Sequence, residues 1–198
     1  MANYSAIYGL LSALENHLRR CLDDASGDTL LDGAGVVILG SDDIKGEPGT
    51  HSVGIYLHRI SIDPHGRGRY IPSTSATGIA KPELPVNLHI LIIGWASSAI
   101  GEVDLLAWAM QQIGGGLELD SASLVERDSS WGENNVVQVI PEDMSSEDLM
   151  RLWENLPRNY MLSSPYIIKT ARLEAPDWSE NHPRIGSIVM PMGEGGSS

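Results

Sequence analysis

The side chains able to do chemistry are few and scattered. Six histidines, His17, His51, His58, His65, His89 and His182, include no i, i+4 pair and no His-Glu-x-x-His, the spacing that puts two metal ligands on one helix face. Each reads as a surface or core histidine. Asp42-Asp43 and Glu142-Asp143 are adjacent acids. On a strand, neighbours point to opposite faces, and here they sit beside Gly or Pro, where solvated turn acids are expected. The single cysteine, Cys21, falls on or beside an apolar helical stripe and reads as a small buried hydrophobe rather than a nucleophile. Gly33-Ala34-Gly35 precedes a strand, whereas a dinucleotide loop follows one and opens a helix. Gly114-Gly115-Gly116 follows a helix and lacks the Lys-Ser/Thr of a phosphate loop. Trp153 and Tyr160 could form a ligand cage, but Trp153 stands at helical spacing with Leu149 and Leu156 and reads as core, and Tyr160 as packing beneath the last strand. No catalytic, cofactor-binding or metal-binding set emerges. The enzymatic alternative is a small hydrolase drawing His and Asp from separate loops.

Composition narrows the class further. The 198 residues suit one domain with some decoration, and a core must be built without Phe. One cysteine permits no internal disulfide, consistent with a reducing compartment. The opening Met-Ala-Asn-Tyr-Ser lacks the basic flank and apolar run of a signal peptide. The longest apolar run, Leu88 to Trp95, is broken by His89 and falls short of the ~20 residues that a span needs. Net charge is −13, and between Glu102 and Glu154 only Arg127 and Arg151 answer the acids. Such a balance disfavours non-specific nucleic-acid binding, because phosphates attract Lys and Arg. It leaves an acidic face that keeps the protein soluble or meets a basic partner.

The elements that would position these residues follow from periodicity. Asn3 to Leu22 carries Ile7, Leu11, Leu14, Leu18 and Leu22 on one helical stripe, with Asn3 or Ser5 as cap and Arg19 and Arg20 near its end. Val36 to Leu39 is a short strand. His51 to Ile62 alternates with Val53, Ile55 and Leu57 on one face, then shifts at Ile60 and Ile62, which predicts a bulge near His58 or Arg59. Residues 63–85 form a long irregular loop with four prolines and the basic cluster His65, Arg67 and Arg69. Val86 to Trp95 alternates fully, with apolar residues on both faces toward its end, as a central strand does. Gly101 to Ile113 is a helix with Val103, Leu106, Met110 and Ile113 in register. Leu117 to Asn135 reads as connecting chain and Val136 to Ile140 as a strand. Ser145 to Leu156 is a helix with a Ser145/Asp148 capping pattern, and Tyr166 to Leu173 is the last strand.

The resulting fold class is α+β: a single antiparallel or mixed β-sheet of about four to five strands with three helices packed against it. Residues 1–174 form the domain, followed by a Pro/Gly/Ser-rich extended tail over 175–198.

The segment Ser146-Glu147-Asp148-Leu149-Met150-Arg151-Leu152-Trp153, then Tyr160-Met161-Leu162-Ser163, then Tyr166 opening a strand, resembles the C-terminal signature of a known domain. It is the N-terminal domain of the tube-terminator or cap protein of phage-tail-like contractile injection systems. The opening Asn3-Tyr4-Ser5-Ala6-Ile7 and the Pro-led strand Leu84-Pro85-Val86-Asn87-Leu88-His89-Ile90-Leu91-Ile92 are similar to that family as well, and the ordered set spans residues 3 to 174. Ser164-Pro165 departs from it by replacing an apolar step before the final aromatic, which is expected to bend the strand entry.

The resemblance implies a non-catalytic subunit of a hexameric ring that closes the distal end of the inner tube and contacts the sheath. It implies no cofactor, no nucleic acid and no small-molecule substrate, and a cytoplasmic protein within an assembled particle. A tail terminator or connector at another junction, or an adaptor that binds by strand addition, are the alternatives. Closed rings use heterologous contacts, one patch meeting a different patch. Arg67 and Arg69 on the loop, against Glu142 and Asp143 in the acidic region, are the expected interface pair.

Overall fold

Alternation along Glu83–Trp95 decides the centre of the fold. The computed structural model describes residues 4–25, 31, 33–46, 51–65, 74–75, 78–79, 83–119, 124 and 136–174. Loop residues Arg67 and Arg69, and the tail from 175, lie outside them. The elements in chain order are α1 (Ala6–Asp24), β1 (Gly35–Leu39), a 3-10 turn (Asp43–Lys45), β2 (Ser52–Ile62), β3 (Thr74–Ser75), β4 (Gly78–Ile79), β5 (Glu83–Trp95), α2 (Ala99–Ile113), β6 (Leu117–Leu119), β7 (Val137–Pro141), α3 (Ser146–Glu154) and β8 (Ser163–Glu174). Six strands form one mixed sheet in the order β1-β2-β5-β8-β7-β6, and β3 pairs with β4 in a separate two-stranded ribbon. β1 runs parallel to β2, and the other pairs are antiparallel.

Among the described residues the α+β class with three helices is as the sequence predicts, but the main sheet has six strands where four to five were expected. The additional strand is β6. Its three residues pair with Val137–Val139 of β7, a run too short to show a period of its own.

The two faces of β5 nucleate two cores. Val86, Leu88, Ile90 and Ile92 join α1, α2, Val53, Ile55 and Ile168 in the larger one. Leu91, Ile93 and Trp95 join Leu39, Ile44, Tyr56, Met161 and Trp153 of α3 in the smaller. Thus α1 and α2 cover one face and α3 the other. Trp153 donates from Nε1 to Ser163 Oγ at 3.0 Å and meets Tyr160 edge-on at 5.9 Å, while Tyr160 itself stays exposed instead of packing beneath the last strand. Gly94 lets α2 settle on β5, since a Cβ there would lie 2.2 Å from the Glu102 carbonyl oxygen.

Helix ends follow their chemistry. Ser145 caps α3, accepting from the Asp148 N–H at 3.1 Å, while its hydroxyl donates to the Asp148 carboxylate at 2.7 Å. Ser98 caps α2 by accepting from the Gly101 N–H at 3.2 Å. Arg19 serves the sheet rather than the α1 dipole: held by Glu15, its guanidinium donates to Val36 O of edge strand β1 at 2.7 Å. A long cation bonded to an edge-strand carbonyl blunts that edge against further pairing.

The rotation of α2 corrects its predicted stripe. Leu105, Leu106, Ala109 and Ile113 face the sheet, whereas Val103 and Met110 are 53% and 41% exposed. Apolar residues stand on both sides of the helix, so periodicity alone could not choose its buried side.

Candidate functional site

The predicted bulge in β2 assembles the polar centre of the molecule. Register with β5 slips between Leu57 and Arg59, leaving His58 as the extra residue. Arg59 then pairs with His89 and Ser61 with Asn87. Paired residues share a face, so the slip turns Arg59 and Ser61 toward the α3 side, where unbroken alternation would have placed Ile60 and Ile62. Those two isoleucines stay about half exposed on the opposite face. A second irregularity, between β5 and β8 at Val86/Leu88, lies at the neighbouring buried Asn87.

Glu142 completes the cluster from the chain just past β7. Its N–H donates to Pro165 O of β8 at 3.0 Å. The side chain, 14% exposed, turns inward and accepts from His89 Nδ1 at 2.6 Å. With that proton on Nδ1, the other ring nitrogen of His89 accepts the Ser61 hydroxyl at 2.7 Å. The Arg59 Nη2 lies 3.1 Å and 3.3 Å from the two ring nitrogens and 3.4 Å from the Glu142 carboxylate. Asp143 points out and is exposed. The expectation of two solvated turn acids therefore holds for Asp143 and is corrected for Glu142, because Pro165 O anchors the Glu142 backbone so that its carboxylate reaches a buried imidazole.

His58 stands beside this network, its ring centroid 6.1 Å from that of His89. Burial pushes its pKa down to about 4; Glu142 opposes the shift, and His89 and Arg59 reinforce it. His58 Nε2, Glu142 Oε2 and Asn87 Oδ1 are buried without a hydrogen-bond partner among the described residues. Above them opens a groove of 480 Å³ whose lining includes His58, Glu142, Asp143, Asp148, Arg151 and Asn155.

Ser61, His89 and Glu142 have the connectivity of a nucleophile, base and orienting acid. Acyl transfer further requires donors aimed at a developing oxyanion and an imidazole free to carry a proton between partners. The His89 ring is instead buried with the Arg59 guanidinium against it, and the residues that line the groove beside it include neither His89 nor Ser61. What the arrangement does physically is to cross-link three segments, β2, β5 and the β7–α3 connection, at the end of the sheet where the hydrophobic cluster under α3 stops. Among the described residues no group of three or more His, Cys, Asp or Glu is placed to hold a metal ion. No helix among them is long and apolar enough to cross a membrane.

Of the four residues expected at an interface, the structure places Glu142 and Asp143 on the groove, and Arg67 and Arg69 lie outside the described residues. Sequence reasoning missed His89, Ser61 and Arg59 as partners of Glu142. The only signal was the shift in β2 periodicity, which implies the bulge but not what it brings together.

Comparison with known proteins bears on the whole chain. Residues 9–186 match the family described as the Pvc16 N-terminal domain. Two solved structures are similar. One is the sheath/tube terminator of an extracellular contractile injection system termed PVC, with a TM-score of 0.54 and 16% identity, matched over 100% of this chain and 66% of that one. The other is the anti-feeding prophage tube-terminating cap, with a TM-score of 0.47 and 14% identity, matched over 86% of this chain and 60% of that one. The chain thus spans less than two thirds of the length of either. Comparison with curated proteins gave no match. At these identities the first structure speaks for the fold, and the family match for descent: the chain belongs to the Pvc16 N-terminal domain family.

Proposed function

We propose that this protein is a structural cap subunit, which closes the distal end of the inner tube and contacts the sheath of a phage-tail-like contractile injection system. It works as a ring of identical subunits, six in the form that the family resemblance implies, and performs no catalysis. Its partners are copies of itself, tube protein and sheath protein, with no nucleic acid or small-molecule substrate, and it assembles in the cytoplasm. The observation that carries this reading is the family match over 9–186, together with a fold similar to that of a sheath/tube terminator.

The subunit contact in this reading pairs charge. Asp143, beside Glu142 on the groove, meets Arg67 and Arg69 from a neighbouring copy. Native mass spectrometry and negative-stain imaging, with and without tube protein, test the proposal. Rings seated on tube ends are expected, and a monomer indifferent to tubes would move the reading to a strand-binding adaptor. Reversing Arg67 and Arg69 to Glu weakens ring formation at moderate salt, and Asp143→Lys in the same chain restores it. Assembly unchanged by the reversal would remove this contact from the account.

A further inference from the structure

Helix α2 is apolar on both sides, and only one side is covered. Its inner residues Leu105, Leu106, Ala109 and Ile113 are buried on the sheet. On the outside, Ile100 is 72% exposed, and Val103, Ala107 and Met110 continue the same line at i, i+3, i+7 and i+10. A surface helix normally turns polar residues to solvent, so an exposed apolar line opposite a buried apolar face stands out. Charge touches this stripe at its border, where Asp104 stands one turn from both Ile100 and Ala107.

A second exposed apolar patch lies on the neighbouring helix of the same layer. Tyr4 and Tyr8, 87% and 65% exposed, project at the start of α1. No acid occupies the first turn of α1, so the positive end of its dipole is unopposed by its own side chains. The two patches therefore differ in chemistry and complement each other: an aliphatic line bordered by Asp104, and a pair of amphipathic aromatics at a helix N-terminus. Aromatics at an otherwise exposed surface favour contact with aliphatic partners, where their faces are buried and their hydroxyls stay wet.

Resting on the cap reading, we infer that the outer stripe of α2 docks the Tyr4/Tyr8 turn of α1 from a second copy of this chain, making a heterologous contact between ring neighbours. One patch of each kind per subunit is what a closed cyclic assembly requires, since each copy offers one to the left and the other to the right. This contact lies on the sheet face opposite to the groove that holds Asp143, so it is independent of the Arg67/Arg69 pairing.

Two variants of the full chain test it: Val103→Asp/Met110→Asp, which spoils the α2 stripe, and Tyr4→Ala/Tyr8→Ala, which removes the aromatics. All four side chains are exposed, so folding is expected to persist, and circular dichroism with thermal melting verifies it. By native mass spectrometry in the presence of tube protein, each variant alone loses the ring, with association at least tenfold weaker than wild type. Mixed in equal amounts, the two variants pair as a heterodimer, because each retains the patch the other lacks, and the pair cannot close into a ring. Rings unaffected by either variant, or mixtures that do not pair, overturn the inference while leaving the cap reading in place. Rings that form but no longer seat on tubes also overturn it and assign the stripe to the tube. Wild-type protein that stays monomeric with and without tubes overturns both.

Discussion

Replacing His89 by Ala tests whether the polar centre is a cross-link. The imidazole bridges the Ser61 hydroxyl at 2.7 Å and the Glu142 carboxylate at 2.6 Å. Its removal deletes a neutral hydrogen bond of about 1 kcal/mol and a charge-assisted one of about 1.5–3 kcal/mol. It also leaves an ionised carboxylate, already mostly buried, with only the 3.4 Å Arg59 contact among the described residues to compensate it. Together with the space left by the ring, the expected loss is about 3–5 kcal/mol, a large part of a typical folding free energy of about 5–15 kcal/mol. For a chain of this size that lowers Tm by about 10 °C. Urea denaturation followed by tryptophan fluorescence measures it, because Trp153 and Trp95 are packed in the cluster that adjoins the network. A double-mutant cycle sharpens the test. Ser61→Ala costs about 1 kcal/mol in wild type and near zero in the His89→Ala background, since the partner is already gone. A loss below about 1 kcal/mol for His89→Ala, or an equal cost of Ser61→Ala in both backgrounds, would refute the cross-link.

Three further outcomes follow from the geometry. His58 titrates near 6.5 when unfolded and at about 4 when folded, so between those values the unfolded chain binds a proton that the folded chain refuses. Stability is thus full above pH 6.5 and falls as pH drops toward 4, by about 1–2 kcal/mol after allowing for solvent screening of the half-buried ring; His58→Gln flattens this slope, and denaturant midpoints against pH read it. Gly94→Ala places a methyl 2.2 Å from the Glu102 carbonyl oxygen and forces α2 off the sheet, costing about 3 kcal/mol or more, while Gly115→Ala meets nothing within 4 Å and stays within about 0.5 kcal/mol of wild type. Trp153→Phe keeps the ring in the core but strands the Ser163 hydroxyl, for a loss of about 1 kcal/mol in the same denaturation assay.

Much of the scaffold is legible in the amino-acid sequence because local rules dictate it. Alternation along β5 named the residues of both cores correctly, with Val86, Leu88, Ile90 and Ile92 on one side and Leu91, Ile93 and Trp95 on the other. Ser145 and Asp148 form the predicted cap of α3, and Gly114, at a positive φ of 58° that favours glycine, ends α2. The phase slip in β2 located its bulge, since the side-chain period of a strand is two and a single inserted residue reverses every face beyond it. The family signature around α3 and β8 was equally local, and the family match covers it.

Tertiary structure decided what depends on partners distant in the chain. The face that α2 buries is one, because apolar residues on both of its sides weaken the amphipathic contrast, and packing on the sheet, closest at Gly94 of β5, fixes its rotation. The role of β6 is another, since three residues become a strand only where β7 supplies the matching backbone groups. The meeting of Ser61, His89 and Glu142 is the third. They stand 28 and 53 residues apart, and no spacing rule joins them. They meet because a bulge turns one strand over, a central strand holds the imidazole in place, and a backbone hydrogen bond to Pro165 aims the carboxylate inward. Sequence determines which residues prefer to be strand, helix or cap, since those preferences act over a few bonds. Which polar groups face one another in the interior is set only when the sheet order is complete, because burial and hydrogen bonding act through space.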